Sequence, residues 1–241
     1  MPDRNIVVFS GLPFSGKSWL LKKILQQEEF KDADVVRLDE VFHRLYPGRA
    51  DNHVTKSEHV YKNEELRNDI LRLLILGKAS IVTEAVMLTR EVHQGAFVEL
   101  TKKASEYIKA IEAEYAQRDG FSIPEIPSSV NLKVILCFAN AKTIEQRASN
   151  RSEARKKDLA PVNTLKGTWN AYRQFEFPDK TTYMPLYIDT SDESDEAENV
   201  RMIEILTFII DNALDPILNK MRRMAAIRSH AILLPEIKAL Q

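Results

Sequence analysis

Residues 6–18, IVVFSGLPFSGKS, decide the fold of this chain. The stretch begins with four apolar residues typical of a buried strand, and Gly11 to Ser18 then fit the pattern G-x-x-x-x-G-K-[ST]. In residues 19–25 the apolar side chains recur at helical spacing. A strand, a glycine-containing loop and a helix in this order predict a phosphate-binding loop, or P-loop. Such loops hold a triphosphate with backbone N–H groups at a helix N-terminus.

Each residue type in the loop meets a requirement of phosphate binding. Gly11 permits the sharp exit from the strand, and Gly16 lets the backbone approach phosphate without an intervening Cβ. Lys17 is a flexible cation for the β- and γ-phosphates, and Ser18 offers a hard oxygen to Mg²⁺. Phe14 adds bulk near the phosphates but removes no donor. We expect the Lys17 side chain to be accessible to solvent while the site is empty. The residues of this segment predicted to contact the nucleotide are Gly11, Phe14, Ser15, Gly16, Lys17, Ser18 and Trp19.

Composition excludes several classes of protein. A chain of 241 residues, 44% of them hydrophobic, is long enough to bury the core of an α/β domain. The formal net charge of −1 argues against a protein that binds nucleic acid through an overall basic charge. Cys137 is the one cysteine, so an intrachain disulfide is excluded, and its apolar neighbours predict a buried position. We expect no signal peptide and no membrane helix, hence a cytoplasmic protein without a membrane partner.

Five apolar stretches alternate with helical patterns along the chain. This alternation predicts right-handed βαβ units and a five-stranded parallel sheet covered by helices on both faces. Together with the P-loop motif, it indicates the three-layer α/β fold of a P-loop NTPase. The first helix is predicted over 16–28, and Thr55 and Glu58 have the spacing of a capping box at a later helix start. The predicted strands are 6–9, 34–38, 80–82, 132–139 and 186–188.

We predict a single domain over residues 1–241, with a core at about 4–212. A helical insertion at about 90–130 contains one helix of six or seven turns, and a helical C-terminal tail covers about 213–241. The sequence does not indicate where that tail packs. Surface loops are predicted at 46–56 and 121–130. The predicted inward face of the long helix consists of Val92, Ala96, Leu100, Ala104, Tyr107, Ile111 and Tyr115.

Further pieces follow the P-loop in an order that resembles a known family. The pieces are Asp39 about twenty residues beyond Lys17, a strand ending at Glu84 before Leu88-Thr89-Arg90, an arginine-rich helix at 142–157, and YIDTS at 187–191. In this order the chain resembles the P-loop kinases. More narrowly, it is similar to the group containing the polynucleotide kinase 5′-phosphorylating domain, chloramphenicol phosphotransferase and the zeta toxins. The segment YRQFEFP at 172–178 is similar to a stretch in ATP-binding members of that group, and the resemblance covers about residues 4–212.

The resemblance implies residues that handle the phosphate acceptor. Asp39 matches the carboxylate that binds the acceptor and takes the proton of its attacking hydroxyl. The alternative is that Asp39 caps the helix that follows it. Arg90 is a candidate substrate-binding residue, with a solvated position at a helix start as its alternative.

The resemblance also implies a metal site. Glu84 ends a strand where P-loop enzymes often keep an aspartate that holds Mg²⁺ through water, and with Ser18 it forms the predicted Mg²⁺ site. Glutamate is longer than aspartate, which is a departure from the family pattern. The alternative is a polar side chain that bonds a neighbouring loop.

The arginine-rich helix corresponds by its order to the lid of P-loop kinases, predicted here at about 142–165. Arg147, Arg151 and Arg155 recur every four residues and therefore line one helix face, from which guanidinium groups suit the charge of a transferred phosphoryl group. The alternative is a solvated charged face. Arg147 is also predicted to contact ATP, as is Thr190, which lies where the family's loop approaches adenine. The predicted catalytic residues are Lys17, Asp39, Arg147 and Arg151.

Together these features predict an ATP- and Mg²⁺-dependent phosphotransferase that moves the γ-phosphate of ATP to a hydroxyl group. The acceptor is left open between a small molecule, a nucleotide sugar and a polynucleotide end, and a protein antitoxin or a nucleic-acid end is the further partner considered. One alternative is an ATP-binding regulatory or toxin-system module with little turnover. Another is a nucleoside monophosphate kinase, but no Asp-Gly-x-Pro-Arg stretch follows the third strand.

Overall fold

A parallel sheet forms the centre of the protein. The computed structural model describes residues 4–49, 55–78, 80–85, 91–119, 129–154, 168–178 and 184–240. Within these ranges the strands are β1 (Arg4–Ser10), β2 (Asp34–Arg37), β3 (Ser80–Ala85), β4 (Val130–Phe138) and β5 (Leu186–Asp189). They form one sheet in the order β2-β3-β1-β4-β5, and every neighbouring pair is parallel. The predicted five-stranded parallel sheet is therefore confirmed.

Both faces of the sheet are buried, as its strands show. In β1 the side chains of Ile6 and Val8 pack on one face, while Val7 and Phe9 pack on the other, and all four are fully buried. Parallel sheets require this arrangement because their crossover helices cover both faces. The apolar run therefore corresponds, as predicted, to a buried strand.

Eight α-helices lie in the described ranges and surround the sheet. The helices are α1 (Lys17–Ile24), α2 (Leu38–Leu45), α3 (Lys56–Ile75), α4 (Glu91–Asp119), α5 (Ala141–Ala154), α6 (Trp169–Arg173), α7 (Asp195–Asp211) and α8 (Pro216–Ala239). Residues of α1 and α7 pack with one face of the sheet, and residues of α2, α3 and α4 pack with the other. This is the expected three-layer α/β arrangement.

Local helix-start signals are realised in the structure. The Thr55 hydroxyl accepts a hydrogen bond from the Glu58 backbone N–H, and the Glu58 carboxylate accepts one from the Thr55 N–H. This reciprocal pair is the predicted capping box of α3. Ser194 caps α7 and Asp215 caps α8 in the same general way, each accepting from backbone N–H groups of the first turn.

The predictions for two helices need correction. The first helix was expected to reach residue 28, but α1 ends at Ile24 and a separate 3₁₀ turn covers Glu28–Phe30. The long helix α4 spans 29 residues, more than the six or seven turns expected. Its buried face includes Phe97 and Ile108 beside the predicted Leu100 and Ala104, whereas the Tyr107 side chain is 53% exposed. The predicted inward face of α4 is therefore wrong at Tyr107, where the adjacent Ile108 is buried instead.

Helix α4 also has a structural task. It connects β3 to β4, and its buried residues belong to the same apolar cluster as Ile6 and Val8 of the central strand. The segment expected as an insertion thus supplies a crossover helix of the sheet. Other predictions lie wholly or partly outside the described residues: residues 50–54 and 121–128 of the two loops, Arg90, Arg155, lid residues 155–165, and the side chains of Val92 and Tyr115.

The C-terminal tail forms α8, which packs against β5, α5 and α6. Its residues Leu233 and Ile237 are buried with Leu12 and Phe14 of the P-loop in one apolar cluster. Helix α8 therefore packs against the P-loop that follows β1. None of the described helices is long and apolar enough to cross a membrane.

Candidate functional site

The P-loop leaves the carboxyl end of β1 through Gly11. This residue has φ = +149°, and a Cβ added there would lie 2.4 Å from the Cys137 carbonyl oxygen of β4. Any side chain would therefore collide with the neighbouring strand, and the expected role of Gly11 in the exit turn is confirmed. Cys137 itself is buried, as predicted, and burial raises the pKa of its thiol to about 12.

Gly16, at the other end of the loop, is constrained by contacts within the protein, and its role in the approach to phosphate remains a prediction. Its φ is +80°, and a Cβ there would lie 2.9 Å from Thr190 Oγ1 and 3.2 Å from Arg147 Nη1. A side chain at Gly16 would point at the segment that follows β5. The constraint visible in the structure is therefore close approach between two parts of the protein.

The end of the P-loop contacts strand β3 through Glu84. Ser18 Oγ donates a 2.6 Å hydrogen bond to Glu84 Oε1, and Lys17 Nζ lies 3.7 Å from the same oxygen. This meeting follows from the fold, because Ser18 is in the first turn of α1 and Glu84 is near the carboxyl end of the adjacent strand β3.

The expectation that Lys17 is accessible to solvent is wrong. The residue is only 8% exposed, and burial lowers the pKa of its ammonium group while the Glu84 carboxylate opposes that shift. The protein thus holds a desolvated cation where an anionic phosphate would relieve the cost of burial.

The residues present fit a magnesium–nucleotide ligand. Mg²⁺ prefers hard oxygen ligands and is usually held by one or two protein groups together with phosphates and water. The Ser18 hydroxyl and Glu84 carboxylate are adjacent oxygens of this kind. Elsewhere in the described ranges, no group of three His, Cys, Asp or Glu residues is arranged to hold a metal ion.

Asp39 lies at the same edge of the sheet. Arg37 of β2 is directly opposite Glu84 of β3, and Asp39 follows two residues later. The strand was expected to include Leu38, but β2 ends at Arg37 and α2 begins at Leu38 without an intervening loop. Asp39 is consequently an exposed residue in the first turn of α2, and Arg37 occupies the N-cap position. The capping alternative for Asp39 is therefore not supported.

Arg147 connects two segments that enclose the site. Its Nη1 donates to the Phe14 carbonyl at 3.1 Å and to Thr190 Oγ1 at 3.1 Å, and its Nη2 donates to the Thr190 carbonyl at 2.6 Å. The guanidinium also pairs with Glu193 at 2.9 Å. Thr190 is 1% exposed, and its hydroxyl donates a hydrogen bond to the Ser15 carbonyl at 2.7 Å. The alternative of a solvated arginine is excluded for Arg147, whose contact with ATP remains a prediction.

The Phe14 side chain is buried within the protein, and its contact with a nucleotide remains a prediction. Its ring is 9% exposed and packs with Ile144 and Ala148 of α5 and with Tyr172 of α6. The backbone has φ = +66°, a conformation that costs a non-glycine residue of order 1–3 kcal/mol and that the surrounding packing must offset. The exposed Arg151 places its guanidinium carbon 5.9 Å from the ring centre.

The sequence of the chain matches a family model described as an AAA domain, over residues 6–175. The match covers more than half of the chain. The protein belongs to this AAA domain family. Its resemblance to the P-loop kinases is thereby confirmed at the level of family and fold.

Two solved structures share the fold of this AAA domain. A candidate kinase from Chloroflexus aurantiacus J-10-fl is 13% identical over 88% of this chain and 100% of its own, with a TM-score of 0.56. Kti12 from Chaetomium thermophilum, solved in complex with ADP-AlF3, is 15% identical over 85% of this chain and 98% of its own, with a TM-score of 0.53. No curated protein matches this AAA domain in sequence.

Sequence patterns did not indicate that Arg201 packs beside the candidate site. It is 4% exposed on α7, and it donates to the Asp189 carbonyl at 3.2 Å and to the Asp192 carbonyl at 2.7 Å. Its guanidinium carbon lies 5.7 Å from the centre of the Trp19 ring, which is partly buried on α1. Arg201 therefore joins the segment after β5 to the helix that follows the P-loop. An arginine within an apolar helix was the available signal.

Tyr172 was quoted only as part of a family-like segment, without a role. The structure buries it completely and places its hydroxyl 3.1 Å from the Pro13 carbonyl of the P-loop. Burial raises the pKa of Tyr172, so its hydroxyl remains a donor at physiological pH. Nothing in the local sequence indicates this contact, because 159 residues separate the two partners.

Proposed function

We propose that this protein is an ATP- and Mg²⁺-dependent phosphotransferase that transfers the γ-phosphate of ATP to a hydroxyl group. The observation that carries the proposal is the convergence of Lys17 and Ser18 on one Glu84 oxygen beneath the P-loop. A buried ammonium, a hydroxyl and a carboxylate in contact provide a phosphate ligand and two metal ligands together. Membership of the AAA domain family and a fold shared with Kti12, which was solved with ADP-AlF3, support nucleotide binding.

The nucleotide would be held by groups whose positions follow from β1 and α1. The N–H groups at the start of α1 face a phosphate, and Lys17 neutralises part of its charge. Ser18 and Glu84 would hold Mg²⁺, which when bound neutralises charge on the β- and γ-phosphates. We assign Trp19 and Thr190 to the nucleotide side of the site. Trp19 is positioned by Arg201, and Thr190 by its bonds to the P-loop.

The acceptor would lie on the β2 side of the site. Asp39 belongs to the sheet edge that carries Glu84, and its exposed carboxylate is available to accept a proton from a bound hydroxyl. Transfer to a hydroxyl needs such a base, whereas transfer to another phosphate does not. This difference favours an alcohol acceptor over a nucleoside monophosphate, and Arg90 is assigned to the same acceptor.

The two described arginines of α5 would contribute differently. Arg147 is bound to the P-loop and to Thr190, so it holds the loop in place and directs positive charge toward the nucleotide side. Arg151 is exposed next to Phe14, one helical turn farther along α5. We propose that Arg151 stabilises the negative charge that develops on the transferred phosphoryl group.

The test is transfer of labelled γ-phosphate to a panel of hydroxyl acceptors, made with the wild type and with Asp39→Asn. The panel contains small alcohols, a nucleotide sugar and an oligonucleotide with a free 5′-hydroxyl. Loss of a general base lowers the rate by about 10² to 10⁴, equivalent to roughly 3–5 kcal/mol of barrier. ATP affinity, measured by calorimetry, should be unchanged because the base does not bind the nucleotide.

The matched control is Glu40→Gln, which removes a carboxylate from the next residue. Glu40 pairs with Arg37 at 3.1 Å on the exposed surface, so its loss should affect transfer little. If Asp39 only stabilised the first turn of α2, Asp39→Asn would cost about 0.3–1 kcal/mol of stability and no activity. A wild type that binds ATP but phosphorylates nothing in the panel would favour the regulatory-module alternative.

A further inference from the structure

Three successive carbonyl oxygens of the P-loop are each held by a side chain from another part of the chain. The three donors come from α6, α5 and the segment after β5, so they reach the loop from separate elements. The contacts are Tyr172 Oη to the Pro13 carbonyl (3.1 Å), Arg147 Nη1 to the Phe14 carbonyl (3.1 Å) and Thr190 Oγ1 to the Ser15 carbonyl (2.7 Å).

Holding a carbonyl also orients the N–H group of the same peptide unit. The peptide is planar and trans, so the N–H of the following residue points opposite to the carbonyl. With the Pro13 and Ser15 carbonyls turned toward outside donors, the N–H groups of Phe14 and Gly16 point the other way. Neither N–H has an acceptor among the described residues, whereas the Ser15 N–H donates to the Leu12 carbonyl at 3.1 Å. The Phe14 and Gly16 N–H groups are therefore the ones presented to an anion.

Tyr172 is held in position by contacts with the C-terminal helix α8. Its carbonyl accepts a 2.8 Å hydrogen bond from His230 Nε2 of α8, and the two rings are nearly parallel with centres 6.1 Å apart. The neighbouring Ser229 donates to the Ala139 carbonyl at 2.6 Å, which ties α8 to the end of β4. A side chain buried and held in this way keeps its hydroxyl in one place, as a positioning role requires.

We propose that Tyr172 is a positioning residue of the nucleotide site, whose hydroxyl turns the Pro13–Phe14 peptide so that the Phe14 N–H faces the bound phosphates. Together with Arg147 and Thr190 it forms a carbonyl clamp, defined by these three donors, that orders the loop before the nucleotide arrives. The inference rests on the proposed nucleotide site. An ordered cradle binds phosphate more tightly because the loop loses less conformational entropy on binding.

Tyr172→Phe tests this proposal because it keeps the ring, its packing and its stacking on His230. ATP affinity measured by calorimetry should fall roughly three- to tenfold, the factor expected for loss of one neutral hydrogen bond. In a transfer assay the KM for ATP should rise by a similar factor while kcat stays the same.

A second readout needs no nucleotide. Selective ¹⁵N labelling of phenylalanine and glycine gives sparse spectra, since the chain has ten of the former and seven of the latter. In Tyr172→Phe the Phe14 amide resonance of the free protein should shift, and that amide should exchange faster with solvent. A residue that served packing alone would leave both unchanged.

The matched control is Tyr187→Phe, which removes the same hydroxyl from another buried tyrosine. Tyr187 is 2% exposed on β5 and packs with Ala226 of α8, away from the loop cluster. The Tyr187→Phe variant should leave ATP affinity and the resonance and exchange rate of the Phe14 amide unchanged.

Unchanged ATP affinity and amide exchange in Tyr172→Phe would overturn the proposal, as would equal effects of the two variants. A wild type that binds no ATP would instead refute the proposed function. In that case the Phe14 amide of the free protein still decides whether the clamp exists.

Discussion

Replacing Lys17 with methionine should make the protein more stable while it strongly weakens nucleotide binding. Lys17 is 8% exposed, and burial lowers the pKa of its ammonium group below the ordinary value despite the nearby Glu84 carboxylate. A lowered pKa means that the folded environment disfavours the charge more than the ion pair favours it. Methionine has a similar length and no charge, so it removes that cost without leaving a large cavity.

The magnitude follows from the surroundings of the ion pair. Glu84 keeps its 2.6 Å bond from Ser18, and its side chain is 22% exposed, so it is not left as a buried unpaired charge. The gain should be about 1–2 kcal/mol, the lower part of the range found when buried ion pairs are replaced by apolar side chains. For a chain of this size, that raises Tm by roughly 2–8 °C.

The stability difference between the two proteins should depend on pH. Because the folded pKa of Lys17 lies below its unfolded value, the unfolded wild type binds more protons between those two pKa values. Wild-type stability therefore rises with pH through that window, and the cost of the buried charge is gone once pH exceeds the unfolded value. The advantage of Lys17→Met should be largest at pH values below the folded pKa of Lys17 and should shrink as the pH approaches the unfolded value of 10.5.

Calorimetry and thermal melting from pH 7 to pH 10 measure both effects. Loss of charge-assisted bonds to phosphate weakens ATP binding at least about 10- to 150-fold. The control is Lys23→Met on the same helix, because the Lys23 side chain is 37% exposed and pairs with Glu198; this variant should change stability by less than about 0.5 kcal/mol. A Lys17→Met variant less stable than wild type at pH 7 would refute the burial argument, and one that binds ATP normally would refute the P-loop site.

Two further predictions concern the rest of the site. Gly16→Ala should lose more than about 1 kcal/mol of unfolding free energy relative to Gly48→Ala in denaturant titrations. Both glycines have φ near +80°, but only Gly16 has Thr190 within 3 Å of the added Cβ, so an equal loss would exclude that contact as the cause. Arg151→Ala should reduce kcat more than ATP affinity, and Arg151→Lys should recover part of the rate. Equal losses in ATP binding and in turnover would instead show that Arg151 already contacts the nucleotide before phosphoryl transfer.

Local sequence patterns predicted those parts of the structure that depend on near neighbours. The capping box of Thr55 and Glu58 forms within a single helical turn, so its spacing suffices to predict it. The P-loop likewise forms between a strand and the helix next to it. The periodicity along α4 was less reliable, since Tyr107 and Ile108 are adjacent and only packing against the sheet decides which of them is buried.

The sequence alone determined that the chain builds a parallel α/β sheet around a P-loop, and it predicted a phosphate site at Lys17 and Ser18. It did so because backbone N–H groups, a glycine at positive φ and a cation must occur within a few residues to bind phosphate. It also determined the burial of β1, whose apolar side chains alternate between two covered faces.

Only the tertiary structure decided which distant side chains complete the site. Arg147 lies 133 residues from the Phe14 carbonyl that it binds, and Tyr172 lies 159 residues from its partner Pro13. A hydrogen bond between residues so far apart has no local signature, because it depends on strand order and on where α5, α6 and α8 pack. The burial of Lys17 was missed for the same reason, since neighbouring elements that close over a side chain set its exposure and pKa.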